Sequence, residues 1–342
     1  MTTLEPIPNI TKLSDRVTRI LGQNPGKFTL QGTNVYLLGT SKPYILVDTG
    51  EGKEEFIPVL ESALTSVTSD ASLPDVSDII LSHWHGDHIG GIPSVLNLLQ
   101  RLWAARNPGK PFPAPRLHKH PLRAEGPSEA EKQYYTLPKL LASLPKDLYT
   151  PSPSGSILHD LSESQILSGN DITLRVLHTP GHTHDSISIH VPEDRILYTA
   201  DTVLGHGTAV FEDLSLYLSS LNKMLEAHAT LEYGSLLPSH GPVVVNGKET
   251  IATYIKHRLE REAQVLELLT SRAPPDGNKH WTTWEIVKEL YAAYPENIWE
   301  PAMRGILLHL DKLVVDGKVR KVEGELKDAK WEAVKETPSP SL

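Results

Sequence analysis

The chain has no cysteine among its 342 residues. That excludes disulfides, thiolate metal ligands and a cysteine nucleophile, and it leaves a fold that needs no oxidising compartment. A basic excess is also missing: 33 lysines and arginines stand against 42 aspartates and glutamates, for a formal net charge of −9. Non-specific nucleic-acid binders normally carry the opposite balance, so nucleic acid is a disfavoured partner unless a local basic patch serves. No run of about 18 uninterrupted apolar residues occurs, so no membrane span is expected. The N-terminus lacks a basic start followed by an apolar core, and Glu5 and Asp15 do not suit a transit peptide; a cytoplasmic protein is the expectation. No internal repeat is found. Histidine, with 16 copies, is the informative residue type.

Four residues of metal-ligand type, His83, His85, Asp87 and His88, fall within six positions in Ser82-His83-Trp84-His85-Gly86-Asp87-His88-Ile89-Gly90-Gly91. The apolar run Ile79-Ile80-Leu81 before them reads as a short buried strand, and Gly90-Gly91 as a tight turn into a helix. His83 and His85, two apart on an extended segment, can point together. Gly86 lets the chain turn, so Asp87 and His88 can face a second position nearby. Three imidazoles and a carboxylate cost too much to desolvate side by side unless something positive holds them. Imidazole and carboxylate are ligands that Zn²⁺ takes.

Other segments repeat this layout. Strands are predicted over 16–21, 34–39 and 44–47, the last ending in Asp48-Thr49-Gly50. Asp48 has two readings: it orients a metal-binding histidine, or it caps the next turn. Helices are predicted over 56–64, 92–103 and 215–228. The strand 172–177 runs into His178-Thr179-Pro180-Gly181-His182, the strand 195–200 ends at Asp201, and Leu236-Leu237-Pro238-Ser239 leads to His240. Thus His83, His182, Asp201 and His240 each follow an apolar run, as expected of strand ends that converge on one sheet edge.

Residues 104–156 interrupt the pattern. They are rich in proline, and Arg116, His118, Lys119, His120 and Arg123 make a local basic patch. It is either a solvated loop bordering a strand near 116–118 or a contact surface for an acidic partner. Tyr134, Tyr135 and a helix over 137–144 suit a cover for a pocket.

The order His-x-His-x-Asp-His, Pro-Gly-His, Ala-Asp, Ser-His-Gly-Pro resembles the metallo-β-lactamase superfamily over roughly residues 15–250. The resemblance implies an α/β fold, an αβ/βα sandwich with its site at one edge. It implies two Zn²⁺ per chain: His83, His85 and His182 on one, Asp87, His88 and His240 on the other, and Asp201 bridging. His178 and His184 match no ligand position. The implied activity is metal-dependent hydrolysis by a hydroxide bridging the two metals, with Asp87 as proton donor and acceptor.

The form of the first motif, the proline-rich insertion and the C-terminal segment resemble fungal thioesterases that release aromatic polyketides, of the atrochrysone-carboxyl type. Their implied partner is the acyl-carrier protein of a polyketide synthase, which Arg116 to Arg123, or Lys256, Arg258 and Arg261, could dock. The alternatives are a single-strand endoribonuclease of the lactamase-beta-like group and another small-molecule thioester or lactone hydrolase, including glyoxalase-II and β-lactamase types. A non-catalytic binding module is a further class, which a complete ligand set disfavours.

The C-terminal segment reads as a long amphipathic helix over 254–270, a linker at 273–278, helices over 283–293 and 302–316 with Thr282 or Thr283 as cap, and a hairpin with Asp316-Gly317 at its turn. Helices followed by such a wing resemble a winged-helix module that packs against the site. The expected organisation is 1–250 hydrolase, 251–335 winged-helix-like, and 336–342 a disordered tail.

Overall fold

The computed structural model describes residues 4–66, 70–122 and 132–334. Arg123 and the tail 336–342 lie outside the described residues. Two sheets face each other. The first has seven strands in sequence order: Ile10–Lys12, Val17–Leu21, Asn34–Leu38, Tyr44–Val47, Val76–Leu81, Arg116–Lys119 and Leu158–Asp160. Pairing is antiparallel up to Tyr44–Val47 and parallel beyond it. The second runs Ser235–Pro238, Ile196–Ala200, Ile187–Val191, Ile172–His178, Ile166–Gly169, with one parallel pair, between Ile196–Ala200 and Ser235–Pro238.

Period-two alternation sends side chains to two different cores. Tyr36, Leu38, Ile45, Val47 and Ile80 meet Leu174, Val176, Ile187 and Ile189 between the sheets. Leu37, Leu46, Ile79 and Leu81 point the other way, onto the helices Phe56–Thr65 and Ile92–Arg106. Leu177, Leu197 and Leu236 do the same for the second sheet, beneath the helices Leu214–Leu231 and Gly247–Ser271. Strands buried on both faces are why the sequence shows continuous apolar runs rather than clean alternation. The four layers are the expected αβ/βα sandwich.

The helix Gly247–Ser271 carries the chain out of the sandwich. Its C-terminal half packs with the helices Thr283–Leu290 and Trp299–Val315 and a three-stranded sheet, Trp281–Thr282, Lys330–Ala333 and Val319–Glu323. Thr282, one of the two caps predicted, accepts from the Glu285 N–H through its hydroxyl and donates its own N–H to the Glu285 carboxylate. The wing differs from expectation. Asp316-Gly317 ends the helix instead of turning a hairpin, with Gly317 at φ 71°. The apolar positions Ile306, Leu310 and Leu313 keep helical spacing up to that point, and a left-handed glycine is the common stop for such a helix. The hairpin follows, pairing Val319–Glu323 with Lys330–Ala333.

The patch at 116–120 is also corrected. Arg116 holds Asp78 through two bonds of 2.7 and 2.8 Å, and His118 reaches the same carboxylate at 2.7 Å. Lys119 is buried and paired with Asp185. His120 stacks on His178 with ring centroids 3.7 Å apart. His118 and Lys119 are thus enclosed and spent on buried carboxylates, while Arg116, though held by Asp78, stays half exposed.

Candidate metal centre

The strands Val76–Leu81, Ile172–His178, Ile196–Ala200 and Ser235–Pro238 all deliver their C-terminal ends to one edge of the sandwich. Backbone bonds fasten the two sheets there: Ile187 N–H donates to Ser82 O at 3.1 Å, and Asn34 N–H to Ser239 O at 2.6 Å. The register between Ile196–Ala200 and Ser235–Pro238 shifts after Tyr198, and Ala200 adopts φ 46°. This bulge turns Asp201 out of the strand toward the histidines.

All seven residues that the resemblance implies as ligands come together in two groups. His83, His85, His182 and Asp201 form one; Asp87, His88 and His240 form the other, with the ligand atoms of each within 4.8 Å. In the first, His83 Nε2, His85 Nδ1 and His182 Nε2 make a triangle with sides of 3.0, 3.0 and 3.2 Å. Ligands about 2.05 Å from a tetrahedral centre stand about 3.3 Å apart, so this triangle approximates one face of a zinc site. The Asp201 carboxylate lies across both groups: Oδ2 is 3.4 Å from His182 Nε2, and Oδ1 is 3.3 Å from His240 Nε2 and 3.6 Å from His88 Nε2. Asp87 Oδ2 is 3.2 Å from His88 Nε2 and 3.3 Å from His240 Nε2. His178 and His184 stand in neither group; His178 Nε2 contacts the His184 carbonyl instead.

The charges differ between the groups. Burial drives His83 and His182 below the ordinary imidazole value, and burial with His182 takes His85 down to about 3. These three are neutral and can turn lone pairs inward. Burial also pulls on His240, but Asp201 and Asp87 outweigh it and raise the imidazole to about 9. Against burial, the His88 and His240 imidazoles hold Asp87 and Asp201 below the usual carboxylate range. His88 Nε2 and Asp201 Oδ1 are buried without a hydrogen-bond partner. Converging lone pairs and orphaned buried polar atoms fit a pair of divalent cations.

Around the groups stand residues that motif reasoning found only in part. Asp48, expected as a support, lies 2.8 Å from His88 Nδ1 and takes bonds from Ser82 and from Tyr198. Its φ of 63° aims the carboxylate back at the cluster. Thr33 donates to Asp87 Oδ2 at 3.0 Å, and Asn24 holds Thr33. Val210 O takes the N–H of His182 Nδ1 at 2.7 Å, which leaves the lone pair on Nε2. Thr33 and Val210 sit in segments without motif or apolar period, so no sequence signal marks them; Tyr198 reads as an ordinary core residue.

A cavity of about 990 Å³ opens onto both groups. Its walls include Phe28, Trp84, Tyr134 and Phe211, and Met303 and Leu307 reach it from the winged-helix side. Tyr134 thus lies where a cover was expected, and the helix after it spans Leu137–Ala142.

A family model for the metallo-beta-lactamase superfamily matches residues 28–240. The chain belongs to that superfamily. A second model, for the beta-lactamase associated winged helix domain, matches 282–331. Among the superfamily's curated members, the chain is 35% identical to a Caenorhabditis elegans beta-lactamase-like protein 2 homolog over 93% of its own length and 91% of that protein. It is 32% identical to an atrochrysone carboxyl ACP thioesterase of Claviceps purpurea, over 84% and 76% of the two chains. The fold is shared with a metallo-beta-lactamase family protein of Thermus thermophilus, with a TM-score of 0.62 at 20% identity, covering 94% of this chain and 100% of that one. A beta-lactamase domain protein from Burkholderia ambifaria gives a TM-score of 0.67 at 19% identity, covering 97% and 96%. Superfamily members are generally hydrolases. Among the described residues no helix is long and apolar enough to cross a membrane.

Proposed function

We propose that the protein is a zinc-dependent thioesterase that frees an aromatic polyketide from its acyl-carrier protein. Residues 1–250 form the hydrolase unit in this reading, and 251–335 the winged-helix unit. The observation that carries it is the cavity of about 990 Å³, walled by aromatic and aliphatic side chains and open to the seven-residue cluster. A fused-ring acyl group needs an apolar enclosure of this kind, whereas a small acyl group does not. The thioesterase names of relatives such as the one in Claviceps purpurea support the same substrate class.

His83, His85 and His182 would hold one Zn²⁺, Asp87, His88 and His240 the other, with Asp201 shared. Zinc pairs supply Lewis acidity and lower the pKa of water. The protein's own groups do the rest. Thr33 fixes one oxygen of Asp87, and the carboxylate faces the cavity, where it can accept a proton from water and return it to the departing thiolate. Asp48 keeps the proton of His88 on Nδ1, and Val210 O does the same for His182. Trp84 and Phe211 keep bulk water from the acyl group. The products are a free acid and a thiol, with one water consumed.

Single-strand RNA cleavage is the second reading. Phe28 and Tyr134 at the cavity mouth are 72% and 66% exposed, and Lys27 stands beside them. Exposed aromatics next to a cation are how bases are stacked. The test offers the zinc-loaded protein an aromatic polyketide thioester on its carrier and, separately, a single-stranded RNA, each with Asp87→Asn as control. Acid release alone, lost in the control, is expected. RNA cleavage alone would replace the thioesterase reading by the nuclease.

A further inference from the structure

A second cavity, about 390 Å³, lies between the helices Gly247–Ser271 and Trp299–Val315. It holds charge that the hydrolysis does not use. Arg258, Arg261 and Arg304 line it, with His257 and His309; its one carboxylate, Glu260, is turned to Lys256 at 3.8 Å. Among the described residues, none of the three arginines has an ion-pair partner. Glu262, one residue beyond Arg261, is engaged elsewhere, pairing with Lys312 and Lys318.

The guanidinium groups are held flat and in place. Arg258 lies over the Phe211 ring at 4.7 Å and gives one N–H to Ala209 O at 3.0 Å, while its Nε is buried with no acceptor. Arg261 lies over Tyr291 at 4.5 Å. His309 is 3% exposed, and its Nδ1 has no partner. Burial and the charges of Arg258, Arg261 and Lys312 push this imidazole down to about 3. A neutral imidazole and stacked guanidinium forks, all with spare hydrogen-bonding capacity, are suited to a tetrahedral oxyanion rather than to a cation.

The cleft adjoins the metal-binding cavity. Ala209, Val210, Phe211 and Arg304 line both, so the loop at 209–211 and the Arg304 side chain form the partition, and the Val210 carbonyl holds His182. We propose that the cleft is a phosphate subsite for the phosphodiester of a phosphopantetheine arm whose thioester enters the metal cavity. The inference rests on the thioesterase reading for its substrate. It gives Arg258 and Arg261 a role distinct from a flat docking face for a carrier protein.

The test uses two thioesters of one acyl group, on 4′-phosphopantetheine and on N-acetylcysteamine, which lacks phosphate. The zinc-loaded full chain is expected to show a KM about tenfold lower for the phosphate-bearing thioester, the worth of one charge-assisted contact. In Arg261→Gln the ratio falls toward one, and Arg261→Lys restores part of it; thermal melts check that both fold. Calorimetry with free phosphopantetheine supplies an arm that needs no turnover. Hydrolysis of both thioesters with equal KM in every protein overturns the subsite. Failure to hydrolyse either, with phosphopantetheine binding that weakens in Arg261→Gln, removes the thioesterase reading and keeps the phosphate site. Single-stranded RNA that displaces bound phosphopantetheine, and is cleaved with an Arg261-dependent KM, overturns the pantetheine assignment.

Discussion

Asp48 Oδ2 lies 2.8 Å from His88 Nδ1, beneath the second ligand group. The carboxylate accepts from the Ser82 N–H and hydroxyl at 2.8 Å each and from the Tyr198 hydroxyl at 2.6 Å. An ionised carboxylate can only accept, so the fourth contact fixes the His88 proton on Nδ1 and the lone pair on Nε2. Asp48→Asn keeps the shape and tolerates the left-handed backbone, but it offers an amide where a charge stood. We expect affinity for a second zinc to fall about 10–100-fold, with the His83, His85 and His182 group little affected. Metal titration followed by mass spectrometry checks this. Equal loss from both groups would remove the assignment of Asp48 to His88.

Metal removal should cost folding stability as well as activity. His83, His85 and His182 turn nitrogens toward one another at 3.0–3.2 Å, and buried Asp201 Oδ1 has no hydrogen-bond partner, an arrangement that a bound cation would relieve. A ligand that binds only the folded chain adds about 2.7 kcal/mol at a free concentration 100 times its Kd. Chelation should therefore lower the melting temperature, and added Zn²⁺ should restore it. Identical melts of stripped and reloaded protein would mean that no metal binds here.

Much of this centre was legible in the sequence because its parts sit at strand ends. Each of His83, His182 and His240 follows an apolar run closed by glycine or proline, and such a run gives both the strand and its end. The basic stretch at 116–120 was not legible. Its partners Asp78 and Asp185 are distant in sequence, and charge counting cannot tell a solvated arginine from one held by a buried carboxylate. The Asp316-Gly317 turn misled for a related reason: the same pair marks a tight hairpin and a helix stop, and only the packing of Leu313 decides between them. The arginine cleft needed the fold, since its walls come from two helices and the loop at 209–211.

Asp78 should shape the acid limb of the stability curve. Burial raises its carboxyl, but bonds from His118, Arg116 and Ser77 outweigh that and hold it well below the ordinary 3.8. A carboxylate depressed in the folded state contributes its stability above the unfolded value and loses it as pH falls through the folded one. Asp78→Asn should thus cost about 2 kcal/mol at pH 7, discounted for the half-exposed Arg116. Urea titrations should find that difference shrinking below about pH 4. A cost that stays constant from pH 7 to the acid limit would show that the Asp78 charge is not the source.

Gly91 decides whether the histidine loop can form at all. Its N–H donates to Gly50 O at 2.9 Å, while Thr49 binds His88 O through both its N–H and its hydroxyl at 2.8 Å. A methyl group on Gly91 would collide with the Thr49 carbonyl, backbone against side chain with nowhere to retreat. Relief requires the segments 48–50 and 88–91 to part, and that movement carries Asp48 away from His88. We expect Gly91→Ala to destabilise the fold by about 3 kcal/mol or more, at the upper end for overpacking, and to weaken zinc binding beyond what Asp48→Asn does. Gly234, where an added methyl meets nothing within 4 Å, is the control and should tolerate alanine within about 0.5 kcal/mol. Normal zinc content and stability in Gly91→Ala would mean that the loop has slack, and that His88 is held by Asp48 alone.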